Sequence, residues 1–66
     1  MTLKQIERIK GYLAVANTAI FDAESVLAWN DPKRHEIYVA RARLGDVREK
    51  VRGWEIDVTM EEARNE

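Results

Sequence analysis

Apolar residues recur at alternating intervals of three and four positions along two stretches of this chain, one on each side of Asn30-Asp31-Pro32. Heptad spacing of this kind places them on one stripe of an α-helix. The stripe comprises Ile6, Ile9, Leu13, Ala16, Ile20, Ala23 and Leu27, then Ile37, Ala40, Leu44, Val47, Val51, Trp54 and Val58. The pattern predicts an all-α fold with two helices, over residues 3–29 and 32–58 or beyond.

Both predicted helix starts carry capping signals. Thr2 and Gln5 have the spacing of a capping box, in which each side chain bonds to the backbone N–H of the other residue. Asp31 is a favoured N-cap residue, and Pro32 suits the first helical position because no helical bond requires its missing N–H. Since Pro32 also prevents the first helix from continuing, we expect a turn at Asn30-Asp31.

A turn there would fold the chain into an antiparallel hairpin in which every apolar layer meets an apolar layer. The same register places Glu24 opposite Arg41 and Lys10 opposite Glu55, with opposite charges in both pairs. Surface ion pairs contribute only about 0–1 kcal/mol each. They therefore indicate the register of the hairpin rather than its stability.

Residues 53–58 admit a second interpretation. Gly53 could end the second helix, and the apolar residues 54, 56 and 58 alternate as in a short strand, after which a small capped helix could follow. A continuous helix is favoured because it makes the two helices equal in length. It also gives Ile6 and Ile9 apolar partners.

The size of the chain indicates self-association. Its 66 residues form one domain over 1–66, near the size at which a single core barely offsets conformational entropy. Disulfides cannot help, because the chain has no cysteine. We expect a homodimer in which two hairpins close into a four-helix bundle, with the fourteen stripe residues as the dimer core.

This architecture resembles the Rop family of plasmid proteins, which are dimers of helical hairpins of similar length. The resemblance is one of pattern and implies the four-helix bundle. The RNA-binding activity of that family is not carried over, because Asp22 lies mid-face on the first helix, where the RNA surface would require a neutral or basic residue.

Composition excludes several classes of protein. Charged residues make up 35% of the chain and apolar residues 45%, a mixture too apolar for disorder and too charged for a membrane protein. No apolar run approaches the roughly 18 residues that a span requires, and no signal peptide is recognisable after Met1. We expect a soluble cytoplasmic protein without a membrane partner.

The chain carries no signature of catalysis. HExxH, GxSxG, P-loop and GxGxxG patterns are absent from the sequence. His35 stands alone, without the further ligands that a metal would need. We therefore expect no enzyme activity, no metal, no cofactor and no small-molecule substrate.

Apolar residues off the stripe predict a protein-binding surface. A broad dimer interface could consume them all; alternatively, dimerisation could leave one flank as a patch for another protein. The candidates for such a patch are Val15, Phe21, Trp29, Arg34, Tyr38 and Arg41. Cations at Lys33, Arg34 and His35 also stand at a helix N-terminus, where the helix dipole disfavours them. That conflict indicates an acidic partner at the turn.

A basic series is the one feature that points to nucleic acid. Residues 33–52 contain seven Lys or Arg and three Asp or Glu, a net charge of +4, whereas residues 53–66 carry −4. The nucleic-acid candidates are Arg41, Arg43, Arg48, Lys50 and Arg52. Asp46 and Glu49 interrupt this series, and phosphate binding would require cations that converge without acids.

The favoured function is that of a small homodimer that binds another protein and inhibits or modulates it. Inhibitors of this size are the kind that phages and mobile elements direct against host regulators. An RNA- or DNA-binding regulator of the Rop type, and a purely structural assembly subunit, remain the alternatives.

Overall fold

The structure, a computed structural model that describes residues 1–64, is an antiparallel hairpin of two helices. Helix α1 spans Leu3–Ser25 and helix α2 spans Pro32–Arg64. The hairpin measures 54 × 15 × 12 Å. No strand occurs among residues 1–64, so the predicted all-α hairpin is confirmed.

Both predicted helix starts are confirmed by their hydrogen bonds. At α1, the Thr2 N–H donates to Oε1 of Gln5 at 2.9 Å, and the Gln5 N–H donates to the Thr2 hydroxyl at 3.1 Å. At α2, the Lys33 N–H donates to Oδ1 of Asp31 at 2.9 Å, as expected for an N-cap. Local side chains therefore determine where each helix begins.

The end of α1 was predicted wrongly. The helix ends at Ser25 rather than at residue 29, and residues 26–31 form a longer connection than a turn at Asn30-Asp31. The N–H groups of Val26 and Leu27 donate to carbonyls three residues earlier, which tightens the last turn before the chain leaves the helix. Trp29 consequently lies in the loop and not on the flank of α1.

Helix α2 continues to Arg64, and the strand interpretation of residues 53–58 is wrong. A glycine that ends a helix usually adopts a positive φ, but no described glycine, Gly53 included, does so. Nothing lies within 4 Å of a Cβ added at this position. Gly53 is thus an ordinary exposed helical residue.

The predicted register is confirmed by both ion pairs. The Lys10 ammonium lies 2.9 Å from Oε2 of Glu55, and Nε of Arg41 lies 2.8 Å from Oε2 of Glu24. The two pairs lie near opposite ends of α1. Together they align the two helices along their length.

Packing divides the predicted stripe into two parts. Ile6 and Val51 are fully buried, with exposures of 0% and 1%, and most other stripe residues are half-buried. The exceptions are exposed: Ala23 on α1, and every second stripe position on α2, which are Ala40, Val47 and Trp54. The helices are therefore rotated toward the residues that follow these positions, such as Glu24 and Arg41, which are buried or half-buried.

That rotation leaves an apolar surface on the side of the hairpin away from Glu24. We call it the open face. It comprises Ile9, Tyr12, Ala16, Ala19 and Ala23 of α1, Val26 just beyond the end of α1, and Ala40, Val47 and Trp54 of α2. The first six positions recur at intervals of three and four and those on α2 at intervals of seven, so each set lies on one side of its helix.

Candidate functional site

A buried carboxylate organises the turn end of the hairpin. Glu24 is 7% exposed, although carboxylates are seldom buried without partners. Its Oε2 receives the Nε–H of Arg41 at 2.8 Å, and its Oε1 lies 3.9 Å from Nε of Arg34. One acid from α1 thus holds two cations from α2.

Two aromatic rings enclose one of these cations. The guanidinium carbon of Arg41 lies 5.3 Å from the ring centroid of Phe21 and 5.3 Å from that of Tyr38. Both distances are within the range of a cation–π contact. The hydrogen bond to Glu24 and the two ring contacts restrict the position of the Arg41 guanidinium.

We call Phe21, Glu24, Arg34, Tyr38 and Arg41 the tip cluster. The two α1 members are three residues apart, and the α2 members follow at intervals of four and three. These spacings put each set on one side of its helix, facing the same side of the hairpin. The cluster therefore follows from helical periodicity once the register is set.

The tip cluster has a net positive charge and N–H donors that form no hydrogen bond among residues 1–64. It combines two guanidiniums with one carboxylate, which leaves a formal charge of +1. Within residues 1–64, Arg41 donates a hydrogen bond through its Nε–H to Glu24, and Arg34 donates one through its Nη1–H to the carbonyl of Leu27. A guanidinium has further N–H donors in a planar fork that matches a carboxylate. The cluster can thus receive a second carboxylate beside two half-exposed rings.

Trp29 extends this surface into the loop. Its side chain is 85% exposed, and it lines a shallow depression with Pro32, His35 and Tyr38. The His35 ring stacks on that of Tyr38, with their centroids 6.0 Å apart. An exposed tryptophan beside fixed aromatic and arginine side chains has the composition of an interface hot spot.

The structure therefore brings together five of the six predicted partner-binding residues and separates the sixth. Val15 lies farther along α1, where it lines a different depression with Ala14, Thr18 and Asp22. Its distance from the tip reflects its position on α1, since Phe21 is more than one helical turn closer to the loop. Val15 is not part of the tip surface.

Arg34 has a structural role that the sequence interpretation missed. Its Nη1–H donates to the carbonyl of Leu27 at 3.0 Å, just beyond the end of α1. The last turn of α1 has no basic residue, so Arg34 of α2 supplies the cation that a helix C-terminus favours. The unfavourable position of Arg34 at the N-terminus of α2 is thus offset by its favourable contact with the C-terminus of α1. Only Lys33 and His35 remain as an argument for an acidic partner. Arg34 and Arg41 are seven residues apart, which places them on the same side of α2. That spacing is the sequence signal that one acid of α1 could pair with both.

The candidate nucleic-acid residues do not converge. Arg41, Arg48 and Arg52 follow the side of α2 that bears the tip cluster, whereas Arg43 and Lys50 follow the opposite edge. Arg41 is in addition bound to Glu24. The structure does not assemble the series into one basic surface.

Metal-binding and membrane-spanning features are absent from the described part of the chain. Among residues 1–64, no three side chains of His, Cys, Asp or Glu lie close enough together to hold a metal ion. Neither helix has a stretch sufficiently long and apolar to cross a bilayer.

No protein-family model, curated protein or solved structure matches this chain. The residues and geometry of the hairpin are thus the basis for its functional interpretation.

Proposed function

We propose that this chain is a non-enzymatic, homodimeric module that binds another protein through the tip of its hairpin and modulates that protein. The observation that carries the proposal is the tip cluster, in which Arg41 is held between Phe21 and Tyr38 next to the exposed Trp29. Fixed side chains lose little conformational entropy on binding, so they favour affinity.

The chemistry of the tip indicates the kind of partner surface. The cluster has a formal charge of +1, and Lys33 and His35 stand beside it with no ion pair among residues 1–64. Aromatic rings and arginine forks bind apolar side chains and carboxylates. We infer a partner segment in which an acidic residue adjoins an apolar one.

Dimerisation supports this role. Two hairpins that share their apolar surfaces would form a four-helix bundle and bury more of the stripe than one hairpin does. The tip cluster lies on the side of the hairpin away from the open face. Pairing through that face would therefore leave the tip accessible.

The experiment is an affinity capture from the native host with three forms of the chain. The wild type is compared with a Phe21→Ala, Trp29→Ala variant and with a control, Val15→Ala, Met60→Ala, which removes exposed apolar side chains elsewhere. We expect wild type and control to retain the same protein and the tip variant to lose it. A partner that all three forms retain equally would contradict binding at the tip.

The captured protein is then purified and titrated with wild type, with Phe21→Ala and Trp29→Ala as separate variants, and with the control. Truncation of an interface hot spot is worth about 2 kcal/mol, so each tip substitution alone should weaken binding about 30-fold. The control substitutions should leave the Kd within about twofold.

A further inference from the structure

A groove runs between α1 and α2 beyond the tip cluster. It encloses about 690 Å³, and its apolar lining includes Leu13, Ala14 and Val51. Gly11 of α1 and Gly45 of α2 also line it, and nothing lies within 4 Å of a Cβ added at either glycine. The volume is within the range of about 300–1,000 Å³ that is typical of ligand-binding clefts. The groove therefore has room for side chains that the hairpin itself does not supply.

Two arginines that line this groove have no acid to pair with. Arg48 lies seven residues from the α2 member of each interhelical ion pair, and the same register places Asn17, a half-buried and uncharged amide, opposite it. Arg52 follows Arg48 by four residues, an interval at which like charges on a helix repel each other. Among residues 1–64 neither arginine forms an ion pair, nor does Glu49, the one other unpaired charge in the lining. The unpaired charges of the groove thus sum to +1.

We propose that an acidic α-helix of the partner protein lies in this groove as a third helix, with its carboxylates against the arginines. Arg41 of the tip cluster precedes Arg48 by seven residues and Arg52 follows it by four, which corresponds to rises of about 10.5 and 6 Å along α2. A bound helix has the same rise per residue, so its acids are expected at the same two intervals. The inference rests on the proposed function, in which the tip binds another protein, and it names the conformation and acid spacing of the bound segment.

Other occupants fit the groove less well. A bound strand would need a sheet edge for its backbone hydrogen bonds, and no strand occurs among residues 1–64. A single small anion is much shorter than the row from Arg41 to Arg52, which extends about 16.5 Å by helical rise. Nucleic acid would require cations without acids, whereas Glu49 and apolar residues of α1 line the same groove. A helix presents apolar and acidic side chains together and packs readily between two other helices.

Binding of a designed helical peptide tests the acid spacing. The peptide is alanine-based and has about 18 residues, which exceeds the length at which isolated helices are marginal. It carries three glutamates at intervals of seven and four, with leucines beside them. The control peptide has the same composition, but its glutamates are five residues apart and so point in three directions. From the anisotropy of labelled peptide at increasing protein concentration, we expect the control to bind at least about tenfold more weakly. Absence of saturable binding by the first peptide, or equal binding of the two, would overturn the proposal.

One substitution at two glycines tests the position of the bound helix. Gly45→Glu places an acid of the chain itself in the groove near Arg48, whereas Gly53→Glu places the same side chain on α2 outside the groove. Both glycines are helical with open space around them, so the hairpin should accept glutamate at either position. Gly45→Glu should weaken binding of the acidic peptide about tenfold, and Gly53→Glu should leave its Kd within about twofold. Equal affinities of the two variants would contradict binding in the groove.

Removal of the unpaired arginines is an independent test. Arg48→Gln, Arg52→Gln removes two cations from the groove, whereas Arg43→Gln, Lys50→Gln removes two from the opposite edge of α2. We expect the first variant to bind the acidic peptide about tenfold more weakly and the second to bind it as wild type does. Equal losses would indicate attraction to net charge alone and would overturn the proposal.

Two further results would assign the groove to a different occupant and would also overturn the proposal. A lower sedimentation mass for Arg48→Gln, Arg52→Gln than for wild type would place a second copy of the chain there. Tighter binding of a single-stranded RNA than of the acidic peptide would place nucleic acid there.

Failure of this inference and failure of tip binding give different results. If Phe21→Ala, Trp29→Ala loses the captured protein and Gly45→Glu retains it, only the bound helix in the groove is wrong. If Gly45→Glu loses the acidic peptide but Phe21→Ala, Trp29→Ala retains the captured protein, only tip binding is wrong. Peptide affinity and capture through the tip are thus independent measurements.

Discussion

Glu24 of α1 and Arg41 of α2 are joined by a 2.8 Å hydrogen bond between Oε2 and Nε, at the end of the hairpin next to the loop. Their side chains are 9% and 26% exposed, which distinguishes this pair from the more exposed Lys10–Glu55 pair. Water screens the attraction between charges less where they are buried. Both pairs fit the same register of the two helices, but the Glu24–Arg41 pair should contribute more to stability than the Lys10–Glu55 pair.

Glu24→Gln should destabilise the hairpin because it removes the acid that holds two guanidiniums and leaves them beside each other. Loss of one member of a well-buried ion pair is expected to reduce the free energy of unfolding by about 3–5 kcal/mol; since Arg34 and Arg41 are partly exposed, we expect about 2 kcal/mol. Urea unfolding at constant protein concentration measures the change. The matched control, Glu55→Gln, should lose less than about 1 kcal/mol. Equal losses would contradict a special role for Glu24.

Arg41→Lys should weaken the tip although it keeps the positive charge. An ammonium lacks the planar, delocalised group that contacts Phe21 and Tyr38, and it has no Nε–H to donate to Glu24. We expect a loss of about 1 kcal/mol in the free energy of unfolding. Arg48→Lys, at an exposed position on the same side of α2, should be neutral within about 0.5 kcal/mol. If both substitutions were neutral, the ring contacts and the Nε–H bond of Arg41 would contribute nothing to stability.

Gly45→Ala and Gly53→Ala should each stabilise the protein. Both glycines are helical with ordinary backbone angles, and nothing lies within 4 Å of an added Cβ. Alanine in a helix interior is favoured over glycine by about 1 kcal/mol. Thermal unfolding should show a higher Tm for each variant and a larger increase for the double variant. A lower Tm would indicate an unrecognised contact at that position.

Ile6→Ala should reduce the free energy of unfolding more than the same substitution at an exposed isoleucine. Ile6 is fully buried, and truncation of such a side chain removes apolar contacts and leaves a cavity, at a cost of about 2–5 kcal/mol. Ile56 provides a control of the same residue type, since it is exposed on α2. Ile56→Ala should change the free energy of unfolding by less than about 1 kcal/mol. Circular dichroism during urea titration compares the two, and comparable losses would mean that the core has been placed wrongly.

The helix starts and the hairpin register could be predicted because they depend on short-range chemistry. Thr2 and Asp31 cap their own helices through residues two or three positions away. The two ion pairs require only opposite charges at positions that the turn brings together. The residue types at the tip also predicted a binding surface. Their assembly around Glu24 is shown only by the interatomic distances of the folded hairpin.

The ends of α1 and α2 were harder to predict because local signals were ambiguous. Pro32 limits how far α1 can run, but it does not say how many residues the chain needs to reverse direction. Gly53 is compatible with a helix end or a helix interior, and the packing of the residues that follow it against α1 decides between the two. The continuous α2 keeps Val51 buried and Val58 half-buried against α1.

The periodicity of the apolar residues established two amphipathic helices and their alignment, because spacing along a helix translates directly into a stripe on its surface. The rotation of each helix about its own axis was decided only by packing. A helix with such a stripe can rotate so that the flanking residues on one side of the stripe, or those on the other side, become buried. The spacing of the apolar residues does not select between these two rotations. Burial of Glu24 against Arg34 and Arg41 turns the helices to one side, which leaves Ala23, Val47 and Trp54 on the open face.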